Sequence, residues 1–88
     1  MKLANLFHDK ATREAVAEQE RDAEERLGRL THRQRELLPL LVSGSLNKQV
    51  AFALGVSPRT IENHRLEIMA RTDCKSFAEL IKIHTLAG

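Results

Sequence analysis

Three neighbouring residues, Glu62, Asn63 and Leu66, offer a carboxylate, an amide and an apolar side chain on one predicted helix. An amide can pair with two atoms of adenine, a carboxylate can accept from the cytosine amino group, and an apolar side chain can contact the thymine methyl group. If Ile61 faces inward, a helix with about 100° per residue turns all three outward. The segment is therefore a candidate for a helix that enters the major groove of DNA.

Simpler structural explanations exist for several of these residues. Leu66 could be a scattered surface residue or a helix contact, since exposed apolar residues are common. Glu62 could be a solvated charge or an ion-pair partner of Arg65. His64 fits a structural histidine beside the core better than a phosphate contact. The sequence alone leaves the roles of Leu66 and Glu62 open.

Four other side chains are predicted to contact phosphate groups, because they lie near the N-termini of two predicted helices. These residues are Lys48, Arg59, Thr60 and Arg65. The unpaired N–H groups and the dipole of a helix N-terminus attract anions, and nearby cationic or hydroxyl side chains add to that attraction. Residues 31–88 also hold eight Lys and Arg against five Asp and Glu, whereas residues 1–30 hold six against seven. The C-terminal part therefore has a weak preference for a polyanion.

The spacing of Ala51, Gly55 and Ile61 predicts two helices that cross at a steep angle through a short turn. Ala51 is small where the helices approach, Gly55 can adopt a positive φ in the turn, and Ile61 fills the space between the helices. Ser57 is a suitable N-cap, and Pro58 suits the first position of the next helix. Together these residues predict a helix-turn-helix.

Local signals place the remaining helices of the domain. Thr31 and Gln34 form a capping box that predicts a helix from about residue 32. Pro39 predicts a kink or an opened turn in that helix rather than a break. Asn47 is the predicted N-cap of a short helix, and Ser76 that of the last helix. The fold class predicted for this part of the chain is all-α.

The N-terminal third differs from the rest. Residues 3–29 contain no Pro and many helix-forming, oppositely charged residues, which predicts a long solvated helix. Its apolar residues follow a heptad only loosely, so a linker helix or a frayed arm is preferred over a coiled coil. Gly28 is predicted to mark its end. Phe52 is expected near the surface of the domain, where this helix or a partner would cover it.

Length and composition argue against several other classes of protein. A chain of 88 residues has room for one domain and little room for a deep cleft, and no nucleophile and base can be paired, so no enzyme is expected. Cys74 is the single Cys and is most simply a small buried apolar group. The four His are scattered, and no metal, cofactor or small-molecule substrate is expected. No signal peptide or membrane span is visible, so the expected location is the reducing cytoplasm.

The motifs resemble the LuxR/FixJ family of four-helix output domains over roughly residues 30–86. The resemblance is carried by Leu30-Thr31-x-Arg33-x-x-Glu36-Leu37-Leu38 and by Gly44-x-x-Asn47-Lys48-Gln49-Val50-Ala51-x-x-Leu54-Gly55-Val56-Ser57-Pro58-Arg59-Thr60-Ile61-Glu62-x-His64-Arg65-x-x-Ile68-Met69. It implies a tetrahelical fold, transcriptional control, a recognition helix at residues 58–72, and base-facing positions at Glu62, Asn63 and Leu66. It also implies dimerisation through the last helix, here residues 76–86. The residues expected to make that contact are Phe77, Leu80, Ile81 and His84.

This sequence departs from the family pattern at four positions. The family usually has Glu at Gln34 and Leu at Thr72, and often Lys at Glu62 and Leu66. The recognition surface is therefore less basic than in most members, and its target sequence cannot be transferred from them.

The sequence thus predicts a linker helix or helical arm at residues 1–30 and a LuxR-type helix-turn-helix domain at residues 31–88. The expected function is sequence-specific binding of double-stranded DNA as a homodimer, with RNA polymerase as a candidate second partner. The chain would be either the output domain of a FixJ-type response regulator in a two-component system or a short single-domain relative. The alternative is a helical protein-interaction adaptor that does not bind DNA.

Overall fold

The structure is a computed structural model that describes residues 10–88, and the regular secondary structure of this range is entirely α-helical. Its helices are α1 (Lys10–Leu27), α2 (His32–Val42), α3 (Asn47–Leu54), α4 (Pro58–Arg71) and α5 (Phe77–Ala87). The predicted all-α fold is confirmed. The N-terminal helix ends at Leu27, directly before Gly28. The part of that predicted helix before Lys10 lies outside the described residues.

The start of α2 is fixed by the predicted capping box. The Thr31 hydroxyl accepts from the Gln34 N–H at 3.1 Å, and Gln34 Oε1 accepts from the Thr31 N–H at 3.0 Å. Each bond satisfies an N–H group that would otherwise have no partner at the helix end. The helix then continues through Pro39 to Val42, so Pro39 does not break it, as predicted.

The predicted N-cap of α3 is wrong by one residue. Leu46 has the extended backbone of an N-cap, and Asn47 is already the first helical residue. The Leu46 N–H is satisfied by Gln49 Oε1 at 2.9 Å, so the helix start does not need an Asn side chain. Asn47 Oδ1 instead accepts from an Arg65 Nη at 2.7 Å. A contact with α4 therefore takes the place of the local cap.

The turn between α3 and α4 has the predicted geometry. Gly55 lies in the left-handed region with φ of 70°, and its N–H donates to the Phe52 carbonyl at 3.3 Å. The Val56 N–H donates to the Ala51 carbonyl at 3.0 Å, which completes a Schellman arrangement. The Ser57 hydroxyl then accepts from the Thr60 N–H at 3.2 Å. This chain of local bonds redirects the backbone and starts α4.

The core is formed by apolar side chains from all the described helices. Ile61 and Ile68 of α4 are fully buried, and they pack with residues of the other helices. The other buried apolar residues are Ala23, Leu27, Leu30, Leu37, Leu38, Leu41, Val50, Ala51, Cys74, Leu80 and Ile83. The prediction that Cys74 is a buried apolar group is confirmed. Helix α1 packs against α5, and α3 packs against α4. The outer face of α4 is left uncovered by this arrangement.

Two further observations concern residues 10–88 as a whole. None of their helices is both long enough and apolar enough to cross a membrane. Within the same range, no cluster of three or more His, Cys, Asp or Glu side chains is placed to hold a metal ion.

Candidate nucleic-acid interface

The outer face of α4 presents the three side chains with base-reading chemistry. Glu62, Asn63 and Leu66 are all exposed, while Ile61 on the opposite side is fully buried. Leu66 is apolar, yet 66% of its surface is exposed. We name the surface of Glu62, Asn63 and Leu66 the recognition face. Its geometry agrees with the sequence-based placement of these residues.

The polar groups of the recognition face are not used inside the protein. Among residues 10–88, neither the Glu62 carboxylate nor the Asn63 amide has a hydrogen-bond or ion-pair partner. The alternative pairing of Glu62 with Arg65 is not formed, because the Arg65 guanidinium turns toward Asn47. Both polar side chains therefore keep their donors and acceptors for a partner molecule.

Cationic and hydroxyl groups border this face. Lys48 in the first turn of α3 and Arg59 in the first turn of α4 are exposed, and neither has an acidic partner within the described residues. Thr60 is half-buried, and its hydroxyl lies 2.9 Å from the Ser57 hydroxyl. Two helix N-termini with nearby cations are a suitable environment for phosphate groups. The structure thus brings these three predicted phosphate contacts to the starts of α3 and α4.

Arg65 lies in a different environment from the other cations. It is half-buried, an Nη donates to Asn47 Oδ1 at 2.7 Å, and its guanidinium carbon lies 3.9 Å from the centroid of the Phe77 ring. This stacking is a cation–π contact that ties α4 to the start of α5. Part of the Arg65 donor capacity is used internally, and its contact with phosphate stays a prediction. Sequence reasoning missed Asn47 and Phe77 as its partners, because no local pattern links these three positions.

One of the four predicted dimer residues on α5 lies in the core. Leu80 is fully buried in the core, so it cannot contact a second copy directly, and its assignment to an exposed interface is corrected. The reason is that α5 packs against α1 within the same chain. Phe77 and His84 are half-buried, and Ile81 is 39% exposed. Dimerisation through the remaining α5 surface stays a prediction.

A second polar cluster joins α1 to the end of α4, and sequence reasoning missed most of it. Arg26 donates through Nε to the Thr72 carbonyl at 2.6 Å and through Nη to the Asp73 carbonyl at 2.7 Å. An Nη also donates to Glu79 Oε1 at 2.9 Å. An ion pair with Asp22 on the same helix is also present at 3.5 Å, and it is the longest of these contacts. We name Arg26, Thr72, Asp73 and Glu79 the junction cluster.

The charges of the junction cluster stabilise each other. The hydrogen bond to Glu79 raises the pKa of the Arg26 guanidinium above its ordinary value, although burial acts in the opposite direction. The pKa of Glu79 is lowered first by the backbone N–H of Lys75, which donates to Oε2 at 3.0 Å, and second by Arg26. Both side chains are therefore held in their charged forms.

Phe52 on α3 is the most exposed large apolar side chain of the described residues, at 91%. Sequence reasoning allowed it to be covered either by the N-terminal helix or by a partner. The described part of that helix packs against α5 and leaves Phe52 open. Within residues 10–88 the predicted contact with the N-terminal helix is therefore not formed, and coverage by a partner stays a prediction.

Comparisons with known proteins identify a family match and several similar proteins. Residues 28–84 match the family described as bacterial regulatory proteins, luxR family. The transcriptional regulatory protein FixJ of Azorhizobium caulinodans is 41% identical over 63 residues, which are 72% of this chain and 30% of that protein. FixJ of Rhizobium meliloti is 40% identical over 75 residues, which are 85% of this chain and 36% of that protein.

A solved structure supports the fold as well. The crystal structure of full-length FixJ from B. japonicum has a TM-score of 0.67 and 33% sequence identity, and the similarity covers 82% of this chain and 37% of that chain. This chain spans about a third of the length of the curated FixJ relatives. The match over residues 28–84 covers the whole turn between α3 and α4 and all of the recognition face. This chain therefore belongs to the luxR family of bacterial regulatory proteins.

Proposed function

We propose that this chain binds double-stranded DNA sequence-specifically and thereby regulates transcription, with the recognition face of α4 in the major groove. The observation that carries the proposal is the exposed, internally unpaired set of Glu62, Asn63 and Leu66. A carboxylate and an amide without internal partners are costly to cover with an apolar partner, but they match the polar edges of base pairs. Lys48 and Arg59 beside two helix N-termini suit the phosphates that flank those edges.

The two parts of the chain have different roles in this proposal. Residues 31–88 form the DNA-binding domain, and residues 1–30 are a linker that follows a receiver domain in a FixJ-type regulator or stands alone in a shorter relative. The family match and the FixJ similarity support this arrangement. The domain acts as a homodimer on two half-sites, and RNA polymerase is a candidate second partner.

The test begins with selection of bound sequences from a random duplex pool, followed by fluorescence anisotropy on the selected duplex. Asn63→Ala should cost about 1–3 kcal/mol and relax preference at one base position, because one base contact is lost. Lys48→Ala should weaken binding to all sequences alike and reduce the salt slope by about one, because one phosphate contact is lost. Equal losses on every sequence for both variants would contradict the assignment.

Lys10→Ala is the matched control for the loss of a positive charge. Lys10 is exposed on α1, where it lies 3.9 Å from Glu14. Its removal lowers the net charge as much as Lys48→Ala does, but it should leave the salt slope unchanged. A similar drop in slope for both variants would mean that only total charge attracts the DNA.

A protein-interaction adaptor is the second candidate function, and the exposed Phe52 ring is the observation that favours it. Such an adaptor would have no need for phosphate contacts. Random duplex DNA at low salt separates the two functions, since a helix-turn-helix protein shows salt-sensitive binding and the adaptor shows none.

A further inference from the structure

The C-terminal end of α4 is held by a side chain from another helix. The last carbonyl groups of a helix lack partners within it, and they carry the negative end of the helix dipole. Arg26 of α1 donates to the carbonyls of Thr72 and Asp73, which directly follow α4. Its guanidinium thus supplies both hydrogen bonds and a positive charge at the end of the predicted recognition helix.

The turn that Arg26 contacts has an unusual backbone. Asp73 has φ of 55°, and it is the one residue other than Gly with a positive φ among residues 10–88. A side chain in the left-handed region is unfavourable, although Asp tolerates it better than most residues. The Asp73 carbonyl accepts from Arg26 at 2.7 Å. The guanidinium therefore contacts the turn at the residue whose conformation is least favourable by itself.

The Arg26 side chain is held in one orientation by its own contacts. It is only 13% exposed, and the nearby α1 residues Ala23 and Leu27 are both buried in the core. The Glu79 carboxylate contacts Arg26 through one oxygen and the Lys75 N–H through the other. The side chain thus connects α1, the end of α4 and the first turn of α5.

Arg26 lies outside the segment that matches the family. The match starts at residue 28, two positions after Arg26. We propose that Arg26 is a positioning residue of the DNA-binding unit, which holds the end of α4 so that the recognition face keeps the direction needed to read bases. This inference rests on the proposed function. It makes the C-terminal half of α1 part of the DNA-binding unit, so that the orientation of α1 is coupled to that of α4.

The proposal predicts an effect on specific binding that exceeds any effect on non-specific binding. Base contacts require donors and acceptors in defined directions, whereas attraction to phosphates depends mainly on charge. A small rotation of α4 would misalign Asn63 and Glu62 with base edges but leave Lys48 and Arg59 close to the backbone. A residue that only stabilises the fold would instead lower the folded fraction and affect both kinds of binding equally.

The experiment compares Arg26→Gln and Arg26→Lys with the control Arg29→Gln. Arg29 lies in the turn after α1, and its exposed guanidinium lies 3.6 Å from Glu25. Its substitution removes the same charge but keeps the backbone carbonyl that accepts from Arg71 of α4 at 3.5 Å. Anisotropy is measured on the selected duplex and on a random duplex of equal length. Circular dichroism gives the temperature at which every variant is fully folded.

Arg26→Gln should bind the selected duplex about tenfold more weakly than Arg29→Gln does, equivalent to one lost base contact. The two variants should bind the random duplex equally. Arg26→Lys should lie between Arg26→Gln and the unchanged protein on the selected duplex, since Lys keeps the charge but lacks the planar fork. Equal losses for Arg26→Gln on both duplexes, or no loss on either, would overturn the proposal.

Glu79→Gln keeps the test decisive should Arg26→Gln fail to fold. It removes the charge that orients Arg26, and we expect a smaller loss that is again confined to the selected duplex. An unchanged ratio of specific to non-specific affinity in this folded variant would overturn the positioning role. If the unchanged protein binds neither duplex, the proposed function itself fails, and this outcome is distinct from a failure of the Arg26 variants alone.

Discussion

The recognition face of α4 and the junction cluster at its C-terminal end differ in how their polar groups are bonded. On the recognition face, Glu62 and Asn63 are exposed and have no partner among the described residues. In the junction cluster, Arg26 alone donates to three acceptors at 2.9 Å or less. Polar groups that are satisfied internally hold helices in place, whereas unsatisfied exposed groups remain available to a partner. The difference separates the part of the helix that is held by internal contacts from the part that is available to a partner.

The largest expected effect is on the free energy of unfolding, and it differs between two neighbouring residues of α5. Leu80 is fully buried and Ile81 is 39% exposed. Leu80→Asp should destabilise the fold by about 3–5 kcal/mol, because it places an unpaired charge in the core. Ile81→Asp should cost less than about 1 kcal/mol. Urea unfolding measures both values.

Ile81 also allows a test of the predicted dimer. If α5 pairs with a second copy through its exposed surface, Ile81→Asp should shift the sedimentation of the folded protein toward the monomer mass. Ala53→Asp, which adds the same single charge at an exposed position of α3, serves as a control for added acidic charge. An unchanged mass for Ile81→Asp, in a protein that is dimeric beforehand, would exclude Ile81 from the contact.

An intermediate effect is expected at the turn that separates α3 from α4. Gly55 has φ of +70°, and a Cβ added there meets no atom within 4 Å. Gly55→Ala should therefore cost about 1–2 kcal/mol from backbone conformation alone. Gly55→Asn should cost less, since Asn tolerates the left-handed region better. Equal unfolding free energies for these two variants would show that φ at residue 55 is not the cause.

The smallest effect concerns the charge of Glu79. Its pKa is lowered by the Lys75 N–H and by Arg26, so its contribution to stability is fully present above the unfolded pKa of about 4.3. That contribution is lost as the pH falls through the lower pKa of the folded state. The stability difference between the unchanged protein and Glu79→Gln should therefore shrink on acidification below about pH 4.3.

Glu62→Gln is the matched control for the loss of a carboxylate. Glu62 is exposed and has no partner within the described residues, so at neutral pH its substitution should lower the free energy of unfolding less than Glu79→Gln does. A larger loss for Glu62→Gln would reverse the contrast between the recognition face and the junction cluster.

The features that the sequence predicted well are those fixed by local chemistry. The capping box of Thr31 and Gln34, the positive φ of Gly55 and the Ser57 cap each depend on residues a few positions apart. Such signals are readable because the bonds lie within one turn of the chain. They placed α4 and therefore its outward side chains.

Long-range contacts could not be predicted in this way. The other members of the junction cluster lie 46 to 53 positions from Arg26, and helical periodicity does not reveal which helix covers an apolar stripe. Leu80 was therefore assigned to a dimer contact, although it is fully buried in the core. Asn47 was assigned to a cap for a related reason, because its contact with Arg65 becomes visible only when α3 and α4 are packed together.

Titration of isotope-labelled protein with the selected duplex, followed by NMR, shows which surface contacts DNA. We expect the Asn63 side-chain amide and the backbone amides of residues 59–66 to show the largest shifts, with smaller shifts around Lys48. We expect little change at Phe52 and along the exposed side of α1. Shifts concentrated at Phe52 or on α1, with Asn63 unaffected, would contradict the recognition face as the DNA-binding surface.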